Sequence, residues 1–206
     1  MKAVSRCTRA ALVTAAIDES SGEAASITGG QLARDGSQQA FAFLQFDPVT
    51  SRLTARAELP DGRLELATAV GTRPWHLYDF DLASLNLWLA GRAAKGSAFR
   101  FGLPLLLVAE SGPSMTDLGA VEARPLGRAR RAGRAALHFS LTGPALAGGR
   151  GDLWIDARAG HIIEARLPIP NHDGYRDFRL ALTGIERGTA AWARTRARHW
   201  QGCPTA

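Results

Sequence analysis

The densest group of chemically able side chains is Pro170-Asn171-His172-Asp173-Gly174-Tyr175. A histidine beside a carboxylate can act as a general base, and asparagine and tyrosine can orient a polar ligand. His172 and Asp173 are therefore catalytic candidates. The same residue types also build corners, because Asn and Asp side chains bond turn amides and glycine accepts positive φ. The stretch holds no nucleophile with a base beside it. Pro170, Asn171, His172, Gly174 and Tyr175 accordingly read first as a structural corner motif.

Asp79 and Asp81, with His76 close by, make the second group. Paired carboxylates can share a proton or hold a cation. Asp81 also suits the N-cap of a following helix, which leaves Asp79 as the weaker catalytic candidate. The serines of Ser111-Gly112-Pro113-Ser114 lack the G-x-S-x-G arrangement of a nucleophile elbow. The five histidines are never closer than 11 residues apart. With no helical His pair and no Cys/His cluster, the sequence implies neither a metal site nor a cofactor. Cys7 and Cys203 sit near opposite termini; a disulfide and two unrelated thiols both fit that placement.

The elements that must position these groups read mostly as strands. QQAFAFLQF at 38–46 is apolar on both faces, as in a central strand. In RLTARAEL, Leu53, Ala55, Ala57 and Leu59 alternate with polar residues. The alternation resumes in RLELATAV after a Pro60-Asp61-Gly62 turn, with Leu64, Leu66 and Val70 on the apolar side. Leu82, Leu85, Trp88 and Leu89 then recur at helical spacing, with Gly91 or Gly96 as the stop. Strands are expected at 98–109, 117–124, 135–142, 151–157, 161–169 and 176–184, and a short basic helix carrying Trp192 at the C-terminus. About nine strands and one substantial helix predict an α+β fold, mainly antiparallel β. A strongly curved half-barrel sheet would wrap the helix; in a closed barrel the helix would sit at a mouth.

At 206 residues, with 46% hydrophobic and 21% charged side chains, the chain suits a single globular domain. Residues 1–20 read as a signal-like or disordered tail, and 21–206 as one β-rich domain. The net charge of +6 raises nucleic acid as a partner. However, only Lys2 and Lys95 are lysines, and the chain is rich in Ala, Gly and Arg throughout. Arg124, Arg128, Arg130, Arg131 and Arg134 form the one charge run, read as a solvated loop joining strand ends; a phosphate or lipid-headgroup site is the alternative. No aromatic residues interleave with it, which argues against a nucleic-acid platform. No segment reaches the roughly 20 apolar residues of a membrane span.

The run from Gly151 to Leu180, with its LWID hairpin and PNHDGY corner, resembles uncharacterised bacterial envelope proteins carrying a similar hairpin and corner; WHLYDFDLASLN at 75–86 fits them as well. LWIDARAGHIIEARL is similar to the closing hairpins of periplasmic lipoprotein carriers of the LolA and LppX type. That resemblance implies a curved sheet sheltering acyl chains, and a periplasmic or envelope location, with the cytoplasm as the alternative.

The expected function is non-catalytic binding of a lipid, acyl chain or other hydrophobic ligand in the concave face. Phe41, Phe43, Trp88, Phe99, Phe101 and Trp154 are its candidate ligand-binding residues. The alternatives are a small hydrolase-like enzyme with a polar site around Asn171, His172 and Asp173, and a protein-interaction scaffold using an exposed sheet edge. The sequence leaves the oligomeric state open.

Overall fold

The structure is a computed structural model that describes residues 1–59, 62–91, 96–109 and 111–204. It is an α+β fold, mostly antiparallel β, with two helices. One six-stranded meander holds β1 (Lys2–Ala3), β2 (Ala10–Ile17), β3 (Ala24–Leu32), β4 (Gln38–Asp47), β5 (Arg52–Leu59) and β6 (Gly62–Ala69). A second holds β7 (Phe99–Ala109), β8 (Gly112–Arg131), β9 (Arg134–Thr142), β10 (Gly151–Asp156), β11 (Ile162–Leu167) and β12 (Phe178–Ala181). Between the meanders comes α1 (Ala83–Gly91), and α2 (Thr189–Trp200) closes the chain.

The period-two patterns behave as expected. Leu53 and Ala55 on β5 face the core, while Leu64 and Leu66 on β6 are half-buried between exposed neighbours. On β9, Phe139 and Leu141 are buried and Leu137 packs against them. The second sheet is a strongly curved half-barrel. Its concave face is filled by α1, whose Leu85, Trp88 and Leu89 join Phe101, Val121, Phe139 and Leu153 in one core. The Pro60-Asp61 turn lies outside the described residues.

Three stretches form strands where local composition does not announce them. The signal-like or disordered tail contains β2, which pairs with β3 over most of its length. The alanine- and glycine-rich AASITGGQL forms β3 although its composition has low strand propensity. The arginine run is not a loop: β8 continues through it to Arg131 and turns at Ala132-Gly133. Pro125 is accommodated because the register with β9 shifts between Pro125 and Gly127, where Gly127 takes φ 115°.

Residues 73–82 join the two layers. Trp75 and Leu77 point into the core of the first sheet, beside Leu53 and Val70. Tyr78 and Leu82 enter the core of the second, and His76 lies between the rings of Trp88 and Phe101. This segment runs parallel to β7: His76 N–H donates to Gly102 O (2.9 Å), Gly102 N–H to Pro74 O (2.7 Å) and Tyr78 N–H to Pro104 O (2.9 Å). Pro104 has no N–H to extend the ladder, so one parallel bridge forms rather than a full strand pair. Gly102 permits this approach; a Cβ there would stand 2.2 Å from Thr72 O.

The segment is anchored by Glu23, 2% exposed, at the start of the β2–β3 side. Its carboxylate accepts from the Trp75 amide (3.1 Å) and from Arg73 Nε (3.0 Å). Glu23→Ala would leave an amide and a guanidinium without their acceptor, costing about 3 kcal/mol. We expect the urea midpoint to fall accordingly, with a smaller fall for Glu23→Gln, which keeps an acceptor for the Trp75 amide. A Glu23→Ala midpoint unchanged from the parent would show that this anchor is not needed.

Candidate functional site

Asn171 is almost fully buried, and its amide does not serve its own turn. Nδ2 donates to Tyr78 O (3.2 Å) and to Asp81 Oδ1 (3.0 Å). Tyr78 returns the contact, its hydroxyl donating to Ile169 O (2.7 Å); burial and the nearby Asp177 and Asp81 charges raise its pKa. The corner motif therefore pins the β11–β12 connection to the crossing segment. Gly174 takes φ 75° at the corner, and Tyr175 stands 61% exposed beside the His172 ring.

Asp81 does not cap α1. Leu82 carries the first helical acceptor, bonding Asn86 N–H at 2.8 Å. The Asp81 carboxylate turns instead to Asn171 and to Lys2 Nζ at 2.9 Å. Lys2 Nζ also meets His172 Nε2. Partial burial and the Lys2 charge lower the His172 pKa. His172 faces an ammonium, and among the described residues no serine, threonine or cysteine hydrogen-bonds to it as the pairing of a nucleophile with its base would require. Asp173 is exposed. No hydrogen bond or ion pair joins His172 to Asp79 among the described residues. Lys2, Asp81, Asn171, His172, Arg176 and Arg179 instead border an open cleft of about 370 Å³.

The six expected ligand-binding residues do not share a face. Trp88 and Phe101 are buried core, and Phe99 packs on Phe139 at 5.2 Å. Phe41 and Phe43 are 39% and 48% exposed on β4, opposite the buried Leu44 and Phe46. Trp154 points away from the concave core. It stacks on His138 (4.4 Å between centroids) under the Arg131 guanidinium, and Glu164 bonds both Arg131 and Arg166. The concave face that these residues were expected to line is occupied by α1.

An apolar groove exists elsewhere. It encloses about 540 Å³ where β2 and β3 of the first sheet face α1 and the β12 edge of the second. Val13, Ile27, Leu77, Phe80, Leu87 and Leu180 contribute to its walls. Strand alternation places Val13 and Ile27 inward, and helical spacing turns Leu87, 60% exposed, toward the opening. None of the six predicted aromatics lines it. The signal missed in the sequence was small: β2 and β3 supply alanines and isolated branched residues that look unremarkable until two sheets face each other.

Two titratable groups of the crossing segment, His76 and Asp79, are withdrawn from solvent. Neither ring nitrogen of His76 finds a hydrogen-bond partner among the described residues, and burial holds its pKa down at about 3. Burial pushes Asp79 up to about 7, against smaller opposing effects of its own amide and of Lys2. Among the described residues no three metal-ligating side chains gather, and no helix is long and apolar enough to cross a membrane. Compared with known proteins, the chain matches no family model, no curated relative and no solved structure.

The opposing shifts predict a specific pH profile. The unfolded chain protonates His76 below about pH 6.5 while the folded chain refuses the proton, so this contribution is complete above 6.5 and lost as pH falls. Folded Asp79 keeps a proton that the unfolded chain releases above 3.8, so its contribution is complete below 3.8 and lost as pH rises toward about 7. Urea midpoints of Asp79→Asn should therefore rise from pH 4 to pH 6.5, those of His76→Leu should fall, and the parent should change less than either (windows of about these limits). Parallel profiles in both variants would contradict the assignment.

Proposed function

We propose that this is a non-catalytic envelope protein that binds a hydrophobic ligand, a lipid or an acyl chain, in the groove between its two sheets. The observation that carries the reading is the apolar groove of about 540 Å³, a volume within the range of small-molecule sites. The reading differs in place from the concave-face site expected from the sequence, since α1 fills that face. An envelope location draws support from the Cys7–Cys203 disulfide, which joins residues 196 apart with Cα atoms 5.4 Å from each other. Disulfides persist mainly in oxidising compartments.

Fluorescence of the neutral probe N-phenylnaphthylamine tests the groove. The parent should enhance its emission. Ala15→Trp, on an exposed strand position that lines the groove, should reduce the enhancement at least about fivefold with the urea midpoint nearly unchanged. Equal enhancement by parent and variant would remove the groove as the binding site. For the compartment, thiol alkylation of protein taken directly from its host should label neither Cys7 nor Cys203 before reduction. Labelling of both without reductant would oppose an oxidising location.

A further inference from the structure

We infer that the ligand is a single-chain amphiphile with an anionic head, a long-chain carboxylate, whose tail lies in the groove and whose head sits in the Lys2–Arg176 cleft. The inference rests on the groove reading and adds the head-group chemistry. Its basis is continuity: Lys2 and Asp81 border both the apolar groove and the polar cleft. One apolar trough opening at one charged end matches a ligand with one tail and one head. β12 runs past both, with Phe178 at the cleft and Leu180 at the groove.

The charge of the cleft selects the sign of the head. Lys2, Arg176 and Arg179 face Asp81 and Asp177 there. Arg179 is held by Asp177 at 3.0 Å and Lys2 by Asp81 at 2.9 Å. Arg176 has no carboxylate partner among the described residues and is exposed. Lys2 retains donor capacity, since an ammonium has three N–H groups and here contacts Asp81 and His172. A carboxylate entering the cleft would accept from Lys2 Nζ and the Arg176 guanidinium without breaking the Asp81 contact. A quaternary ammonium head would meet the unpaired arginine and be disfavoured.

The test displaces N-phenylnaphthylamine from the full chain with laurate, dodecanol or dodecyltrimethylammonium, each below its micelle threshold. Laurate should displace the probe about tenfold more effectively than dodecanol, with the ammonium weakest. Arg176→Gln should weaken laurate at least about threefold and leave dodecanol unchanged, and Lys2→Met, which also alters the groove wall, should weaken laurate more than dodecanol. Arg176→Gln removes no hydrogen bond or ion pair recorded among the described residues, so its folding is secure even if Lys2→Met is destabilised. Equal affinity for laurate and dodecanol in the parent, or equal weakening of both by Arg176→Gln, overturns the anionic-head assignment while leaving the groove intact. Failure of all three ligands, or displacement unaffected by Ala15→Trp, overturns the groove reading itself.

Discussion

The docking of residues 73–82 between two sheets is the constraint on which the rest depends. A carboxylate buried at Glu23 fixes Arg73 and the Trp75 amide from the first sheet, while the β7 carbonyls of Gly102 and Pro104 fix His76 and Tyr78 from the second. An extended chain held on both sides sends alternate side chains to opposite layers. Trp75 and Leu77 thus complete one core, and Tyr78 and Leu82 start the other. The helix follows at once and has nowhere to go but the half-barrel, where Asn86 Oδ1 accepts the Ile162 amide at 2.7 Å.

The groove is a consequence of that arrangement. Each meander ends in two edge strands, β1 and β6 in the first and β7 and β12 in the second; β6 packs on β8, while β2, β3 and the β12 edge face each other across the groove. The C-terminal segment crosses between the edges, and Cys203 secures it to Cys7. His199 reinforces the link, its carbonyl accepting the Cys7 amide at 3.2 Å. The edges are therefore tied at the ends without being zipped together, and apolar side chains from both layers remain facing an opening. The corner motif belongs to the same bracing: Asn171 donates to the Tyr78 carbonyl and Tyr78 to the Ile169 carbonyl, tying the β11–β12 connection to the crossing segment.

Local pattern carried much of the architecture. The alternations in β5, β6 and β9, and the 82, 85, 88, 89 spacing of α1, report burial on one face directly, because side-chain direction follows backbone period. The patterns fail where pairing overrides composition. The small residues of β3 and the Pro125-Leu126-Gly127 stretch of β8 have weak strand propensity, yet β2 and β4 hold the first from both sides, while β9 alone pairs the second and a register shift absorbs the proline. Asp81 looked like a cap because its spacing to the helix was right; a lysine from β1 and the corner asparagine compete for the same carboxylate.

The candidate site was legible only as a list of residue types. Trp154 and Phe43 alternate correctly on their strands, but alternation does not say which face of a sheet looks inward. Only the placement of α1 decides that, putting Trp154 under arginines and Phe43 in solvent. The chain by itself determined that this is a β-rich fold with one internal and one terminal helix, because strand and helix periods are local properties. Which face is covered, that Lys2 meets His172 across 170 positions, and that a groove survives between the layers were decided by tertiary structure, since each depends on two surfaces brought together from distant parts of the sequence.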